Sequence, residues 1–102
     1  IPSTVLRILL GILRLGESPQ GALDAPRIHH QWRPNKVFVE DARGLPGRPV
    51  DIQEALTAAL EAKGHEVELS PPWCNAQAVW REPDGSLLGR PDERGAGAPA
   101  GF

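Results

Sequence analysis

Between Val5 and Leu15 every residue except Arg7, Gly11 and Arg14 is aliphatic. At helical spacing Val5, Leu6, Ile8, Leu9, Leu10, Ile12, Leu13 and Leu15 leave almost no side of the cylinder polar. A helix of that kind is buried on several sides. The stripe shared by Arg7 and Arg14, seven residues apart, is expected to be its wettest side or a paired position. The segment is too short and too charged for a bilayer, which needs about 20 apolar residues. A 102-residue chain carrying such a helix must cover it with its own core or offer it to a partner surface.

The rest of the chain has limited means to cover it. Length bounds the chain at one domain. Gly and Pro contribute 11 residues each, aromatics are only 5%, and the breakers cluster in Arg43–Pro49 and Gly89–Gly101. Such stretches contribute little burial and lean on neighbours for order.

Regular elements are short and well punctuated. Pro2 and a following hydroxyl, Ser3 or Thr4, are expected to open the first helix, and Gly16 to end it. Ser18-Pro19-Gln20 has the form of a cap with proline at the first helical position, and Pro26 ends that helix. Arg27 to Trp32 is expected to run extended to a Pro34-Asn35 turn, followed by a Val37–Glu40 strand and an Arg43–Pro49 loop. Ile52, Ala55, Leu56, Ala59 and Leu60 define one apolar face of a helix from about Asp51 to Lys63, stopped by Gly64. Glu66–Leu69 alternates as a half-buried or edge strand does, and Asn75–Trp80 with Ser86–Gly89 form a hairpin around Pro83-Asp84-Gly85. About three helices and four strands in this order predict an α+β fold.

Net charge is −2 with both signs interspersed, which argues against nucleic acid or an anionic membrane surface as partner. The lone Cys74 excludes an intrachain disulfide. His29 and His30 are adjacent on an extended segment, so their rings point apart and do not share a metal ion easily; hydrogen-bonded packing is the expected role. His65 adds no ligand spacing. Trp32, Trp73 and Trp80 are expected to be packing anchors. Ser3, Ser18, Ser70 and Ser86 occupy caps or turns outside any nucleophile elbow, and Gly95-Ala96-Gly97 lacks the strand-to-helix context of a nucleotide loop.

One run is unusual enough to carry a family resemblance. Asp24-Ala25-Pro26-Arg27-Ile28-His29-His30-Gln31-Trp32 resembles the APR-(F/I)-HHQW segment in the C-terminal part of γ-glutamyltransferases, the glutathione hydrolases. Ile1-Pro2-Ser3-Thr4-Val5-Leu6 resembles the family's helix start, and Leu60-Glu61-Ala62-Lys63-Gly64-His65-Glu66-Val67 its "LEAKGHEV" helix end. Asn75-Ala76-Gln77-Ala78-Val79 is similar to its "NAQAI" strand, Asp92 and Arg94 fall on its "DPR" triplet, and Ala100-Gly101-Phe102 on its terminal "AGY".

The resemblance implies the C-terminal portion of an αββα N-terminal-nucleophile hydrolase sandwich, spanning residues 1–102 as a single segment of the small subunit. It implies chemistry by an N-terminal threonine, without metal or organic cofactor, on glutathione or another γ-glutamyl compound. Here residue one is Ile1, and the only threonines, Thr4 and Thr57, fall inside predicted helices. The nucleophile and substrate-holding residues are therefore expected upstream, in the large subunit and the N-terminal part of the small subunit. The absence of an initiator Met or signal peptide fits a fragment or processed chain. No catalytic residue is expected in this segment; Arg27, Asp92 and Arg94 are expected to form buried Arg–carboxylate contacts that hold it in place, with His29 and His30 in support. Glu93 stands in place of the triplet's proline, Cys74 in place of a usual glycine, and Phe102 in place of a terminal tyrosine. Two alternatives remain at this point. Relatives of this architecture act as cephalosporin acylases or amidohydrolases, and an independent binding domain would be a compact monomer. A detached segment would instead expose the Val5–Leu15 helix and self-associate.

Overall fold

A computed structural model describes residues 1–41, 43, 45, 50–95, 98 and 100. The backbone closes on itself twice within this length, giving two compact units, Ile1–Ala25 with Cys74–Phe102, and Pro26–Trp73. The described residues form three helices and five strands.

In the first unit, α1 spans Pro2–Leu13 and α2 spans Pro19–Asp24. Helix α1 starts one position before the expected hydroxyl cap: Ile1 is the cap residue, no side chain caps it, and Ser3 and Thr4 lie in the first turn. Proline's preset φ suits the first helical position, so Pro2 opens the helix itself. Its exit is tight, with Gly16 at φ +72° and the Glu17 N–H donating back to Gly11 O at 2.9 Å. Ser18 caps α2 as expected, its Oγ accepting from Gly21 N at 3.0 Å. Strands β4 (Ala78–Arg81) and β5 (Leu87–Arg90) pair antiparallel. Their turn is fixed by Gly85 at φ +88° and by Asp84 Oδ1, which accepts from Ser86 N and Ser86 Oγ. The Ser86 hydroxyl bond, then its amide bond, hold the Asp84 carboxyl below the usual carboxylate range. Ile8, Ala22 and Leu23 form the core, with Ile12, Ala76 and Ala78 packed on it.

That core uses only one side of α1. Thr4, Ile8 and Gly11 are buried, whereas Val5, Leu6, Leu9, Leu10, Leu13 and Leu15 are exposed. Of the two arginines expected on the wettest side or at a paired position, Arg7 takes the paired role. Its guanidinium meets Glu17 in two bonds of 3.0 and 2.9 Å, and these groups pass over Gly11, where a Cβ would collide with both. Arg14 is exposed.

The second unit is a β-β-α-β arrangement. Strand β1 (Ile28–His29) pairs antiparallel with β2 (Val37–Glu40), and β2 pairs parallel with β3 (Val67–Ser70). A parallel pair needs a crossover, which α3 (Val50–Ala62) supplies. The helix ends in a Schellman arrangement, with His65 N donating to Leu60 O, Gly64 N to Glu61 O, and Gly64 at φ +92°. Val37, Val39 and Leu45 are buried.

Two expectations are corrected in this unit. The extended run Arg27–Trp32 contributes only two residues of strand, and Trp32 leaves it at φ +71°. The inward side of α3 keeps only Leu56 and Leu60 of the apolar face read from spacing, both half-buried: Gln53 is buried and Thr57 half-buried beside them, while Ile52, Ala55 and Ala59 are exposed. The Arg43–Pro49 loop, Gly95-Ala96-Gly97 and the terminal Ala100-Gly101-Phe102 match fall largely outside the described residues.

Candidate functional site

The strongest polar assembly in the first unit is built at the exit of α2. A helix end leaves carbonyls unsatisfied and slightly negative, so it favours a cation. Arg94 provides it: Nη1 donates to Leu23 O at 2.8 Å and Nη2 to Ala25 O at 3.3 Å. The same Nη1 lies 3.1 Å from Asp92 Oδ1, and the two side chains are 2% and 0% exposed. Asp92 uses its remaining acceptor capacity on backbone amides, Oδ1 accepting from Arg94 N at 2.9 Å and Oδ2 from Ala76 N at 2.8 Å.

Desolvating two charges is costly, and the cost is offset only when the pair's other donors and acceptors are satisfied. Here one ion pair fastens three stretches of chain: the α2 exit, the approach to β4, and the segment after β5. Glu93 does not disturb it. The residue is exposed in a turn closed by Gly95 N donating to Asp92 O at 3.2 Å. Asn75 lies against Gly95, where a Cβ would overlap its amide.

Arg27 belongs to the second unit, and is 1% exposed. Its Nη1 donates to Trp73 O at 2.8 Å, and its own carbonyl accepts from Glu40 N at 2.9 Å, extending the β1–β2 ladder. Glu40 is also buried. Its signal in the sequence is a carboxylate closing the otherwise apolar strand Val-Phe-Val-Glu.

The two adjacent histidines are hydrogen-bonded as expected, but they do not pack deeply. His29 stacks on Phe38 with ring centroids 6.5 Å apart, and its Nε2 is 3.0 Å from Gln31 Oε1. His30 Nδ1 accepts from Trp32 N at 3.0 Å, which places the ring proton on Nε2, 3.3 Å from Asn35 Oδ1. Its ring meets His65 edge-on at 6.3 Å. Trp32, expected to be a packing anchor, is instead 70% exposed with Arg33 stacked 4.5 Å from its ring centroid. Trp73 and Trp80 are half-buried.

The nucleophile candidates lie in ordinary structural places. Thr4 and Thr57 are inside α1 and α3, and both hydroxyl oxygens are buried without a hydrogen-bond partner. Ser18 Oγ and Ser86 Oγ are committed to a helix cap and a turn. Cys74 is half-buried at φ +62°, the left-handed region that glycine enters freely and other residues enter at a cost. No group of three or more metal-ligating side chains occurs among the described residues, and none of their helices is long and apolar enough to cross a membrane.

Each unit also has a concave surface among its described residues. One, of about 320 Å³, is an apolar groove in the first unit between α1 and β4, lined by Val5, Ile8, Leu9, Ile12, Ala78 and Trp80 among others. The other, of about 250 Å³, lies in the second unit between α3 and β3, with Arg43, Gln53, Thr57 and Leu69 in its wall.

Comparison with known proteins gives this geometry a family. The gamma-glutamyltranspeptidase family model matches residues 1–102. The chain is 34% identical over 94 residues to the glutathione hydrolase proenzyme of Escherichia coli (strain K12), covering 92% of this chain. It spans about 15% of the length of the curated relatives it matches. Among solved structures it superposes on a Thr-to-Ala mutant of Helicobacter pylori gamma-glutamyltranspeptidase with a TM-score of 0.66 at 28% identity, covering 93% of this chain and 48% of that one. It also matches cephalosporin acylase from Bacillus halodurans with a TM-score of 0.61 at 29% identity, covering 86% of this chain and 15% of that one. The α+β fold is thus that of a portion of these N-terminal-nucleophile hydrolases. The chain belongs to the gamma-glutamyltranspeptidase family.

Proposed function

We propose that residues 1–102 form a single C-terminal structural segment of the small subunit of a glutathione hydrolase, inactive alone and completed by the upstream chain. The observation that carries this reading is the placement of the only two threonines. Both lie within helices with buried hydroxyls, and neither is joined to a free α-amine, as N-terminal threonine chemistry requires. The whole-chain family match over 15% of the relatives' length supports it.

In the complete enzyme the upstream threonine attacks the γ-glutamyl carbonyl of glutathione or a related amide, its α-amine taking the hydroxyl proton. The amine leaving group departs with a proton, and a γ-glutamyl ester remains on the enzyme. Water then releases glutamate, or an acceptor amine takes the γ-glutamyl group. That chemistry calls for no metal or organic cofactor. Asp92 and Arg94, and separately Arg27 with His29 and His30, would hold backbone in place for a site they do not touch. The partner is the large subunit together with the N-terminal part of the small subunit. Without it, the exposed leucines of α1 favour self-association.

Release of a chromogenic anilide from a γ-glutamyl substrate tests the reading. The chain alone should be silent; the chain with the upstream portion, and the intact enzyme, should be active. Turnover by the chain alone would overturn it. The likeness to the Bacillus halodurans acylase favours one second reading, a side-chain acylase of the same fold. Silence on the γ-glutamyl anilide with turnover of a cephalosporin side-chain amide by the complete protein would select that reading.

A further inference from the structure

We propose that the turn from His30 to Asn35 is a pH-sensitive latch, in which neutral His30 holds Trp32 in its exposed position and protonation of His30 releases it. The argument is confined to the second unit. The Trp32 N–H can only donate, so the 3.0 Å contact with His30 Nδ1 exists only while that nitrogen has its lone pair. A second proton on the imidazole converts the acceptor into a donor facing a donor. The bond is then lost, while the Nε2–H contact to Asn35 Oδ1 at 3.3 Å survives.

The bond being lost supports an unfavourable backbone. Trp32 sits at φ +71°, where a Cβ-bearing residue is strained and persists only if its surroundings enforce that conformation. The side chain adds little enforcement, being 70% exposed and touched by Arg33, which is itself exposed. The other ties at the turn include Gln31 Nε2 donating to Arg33 O at 2.9 Å, Gln31 Oε1 meeting His29 Nε2 at 3.0 Å, and Lys36 N donating to Pro34 O at 2.9 Å. Among these bonds, the one accepted by His30 Nδ1 is the one made by the backbone of the strained residue itself.

The charged and titratable groups around that imidazole favour release once it is protonated. His65 meets it edge-on at 6.3 Å, so two imidazolium rings would repel each other. Arg33 in the turn and Lys36 just after it add positive charge. Lys36 is engaged by Glu68 and also feels the charge of Glu66, the residue that follows His65 in the chain. Acidification from about pH 8 to about pH 5 covers the interval in which imidazole is the side chain that ordinarily changes charge. Over it the Trp32–Arg33 pair would change from a fixed to a mobile presentation.

Fluorine NMR of the full chain labelled with 5-fluorotryptophan tests this, because its three tryptophans give three resonances. The Trp32 signal is assigned by its loss in Trp32→Phe. It should move and narrow in a single step on acidification, while those of Trp73 and Trp80 do not follow. The step should disappear in His30→Gln and persist in His65→Gln. Far-UV circular dichroism at both ends of the titration confirms that each variant keeps its fold, and the same labelling in the longer enzyme repeats the test with the segment in place. A Trp32 signal that stays still in the unsubstituted protein, or moves equally in His30→Gln, overturns the proposal. A step lost only in His65→Gln also overturns it.

Discussion

The first unit treats its charges and its leucines in opposite ways. The Asp92–Arg94 pair is sealed from solvent, whereas Val5, Leu6, Leu9, Leu10 and Leu13 stand exposed along α1, with Leu15 just beyond its end. A chain shaped for water would reverse both choices. An exposed leucine forgoes roughly 1.5–3 kcal/mol relative to full burial, and a buried ion pair gains little over an apolar substitute. The contrast shows which contacts are internal and which are meant for elsewhere. Asp92 and Arg94 meet each other and bond Ala76 N, Leu23 O and Ala25 O, all inside the unit, so that junction is built from within. The outer side of α1 finds little cover among the described residues, and the proposed upstream partner would supply it.

The largest effect is expected from breaking the finished side. Arg94→Met should leave the Asp92 carboxylate buried beside two amides and strip the α2 exit of its cation, costing about 3–5 kcal/mol in denaturant unfolding. A loss under about 1 kcal/mol would mean that the junction is wetter than its burial indicates.

The half-buried Arg7–Glu17 pair should fall between the two extremes. The hydrogen bonds from Arg7, chiefly, hold the Glu17 carboxyl below its ordinary range. A carboxylate depressed on folding contributes stability that is present above its unfolded pKa and lost as pH falls through the folded one. Glu17→Gln should therefore cost about 0.5–1 kcal/mol near neutrality and nothing in strong acid. Parallel stability curves for the two proteins across the acid range would remove Glu17 from the ledger.

The smallest effect on the chain itself is expected on the unfinished side. Leu6→Lys with Leu13→Lys changes two exposed positions and should alter unfolding by within about 0.5 kcal/mol. The same pair should suppress self-association of the segment and prevent recovery of activity with the upstream portion. If unfolding instead drops sharply, α1 is covered in the isolated chain and the comparison fails.

What could be read from sequence follows the same division. Elements specified by neighbouring residues were legible: the Ser18-Pro19 helix start, the Gly64 stop and the Pro83-Asp84-Gly85 hairpin each contain the atoms that fix them. Asp92 and Arg94 were legible through the family triplet. Their partners were not, because Leu23 O, Ala25 O and Ala76 N are backbone groups that no residue pattern names. The apolar spacing of α3 misled for a different reason. Periodicity reports which side chains seek burial in the complete protein, and Ile52, Ala55 and Ala59 are not covered in this one. Glu17 gave no signal at all, since its partner Arg7 is ten residues away across a helix end.

The passage of that ion pair over Gly11 has a consequence for how the sequence can drift. Any side chain at position 11 would push into the Arg7 and Glu17 groups that lie across it. Position 11 is then not free to enlarge alone, and its side chain should vary together with those at positions 7 and 17. Among related sequences, a bulkier residue at 11 is expected to travel with a shorter or uncharged residue at 17.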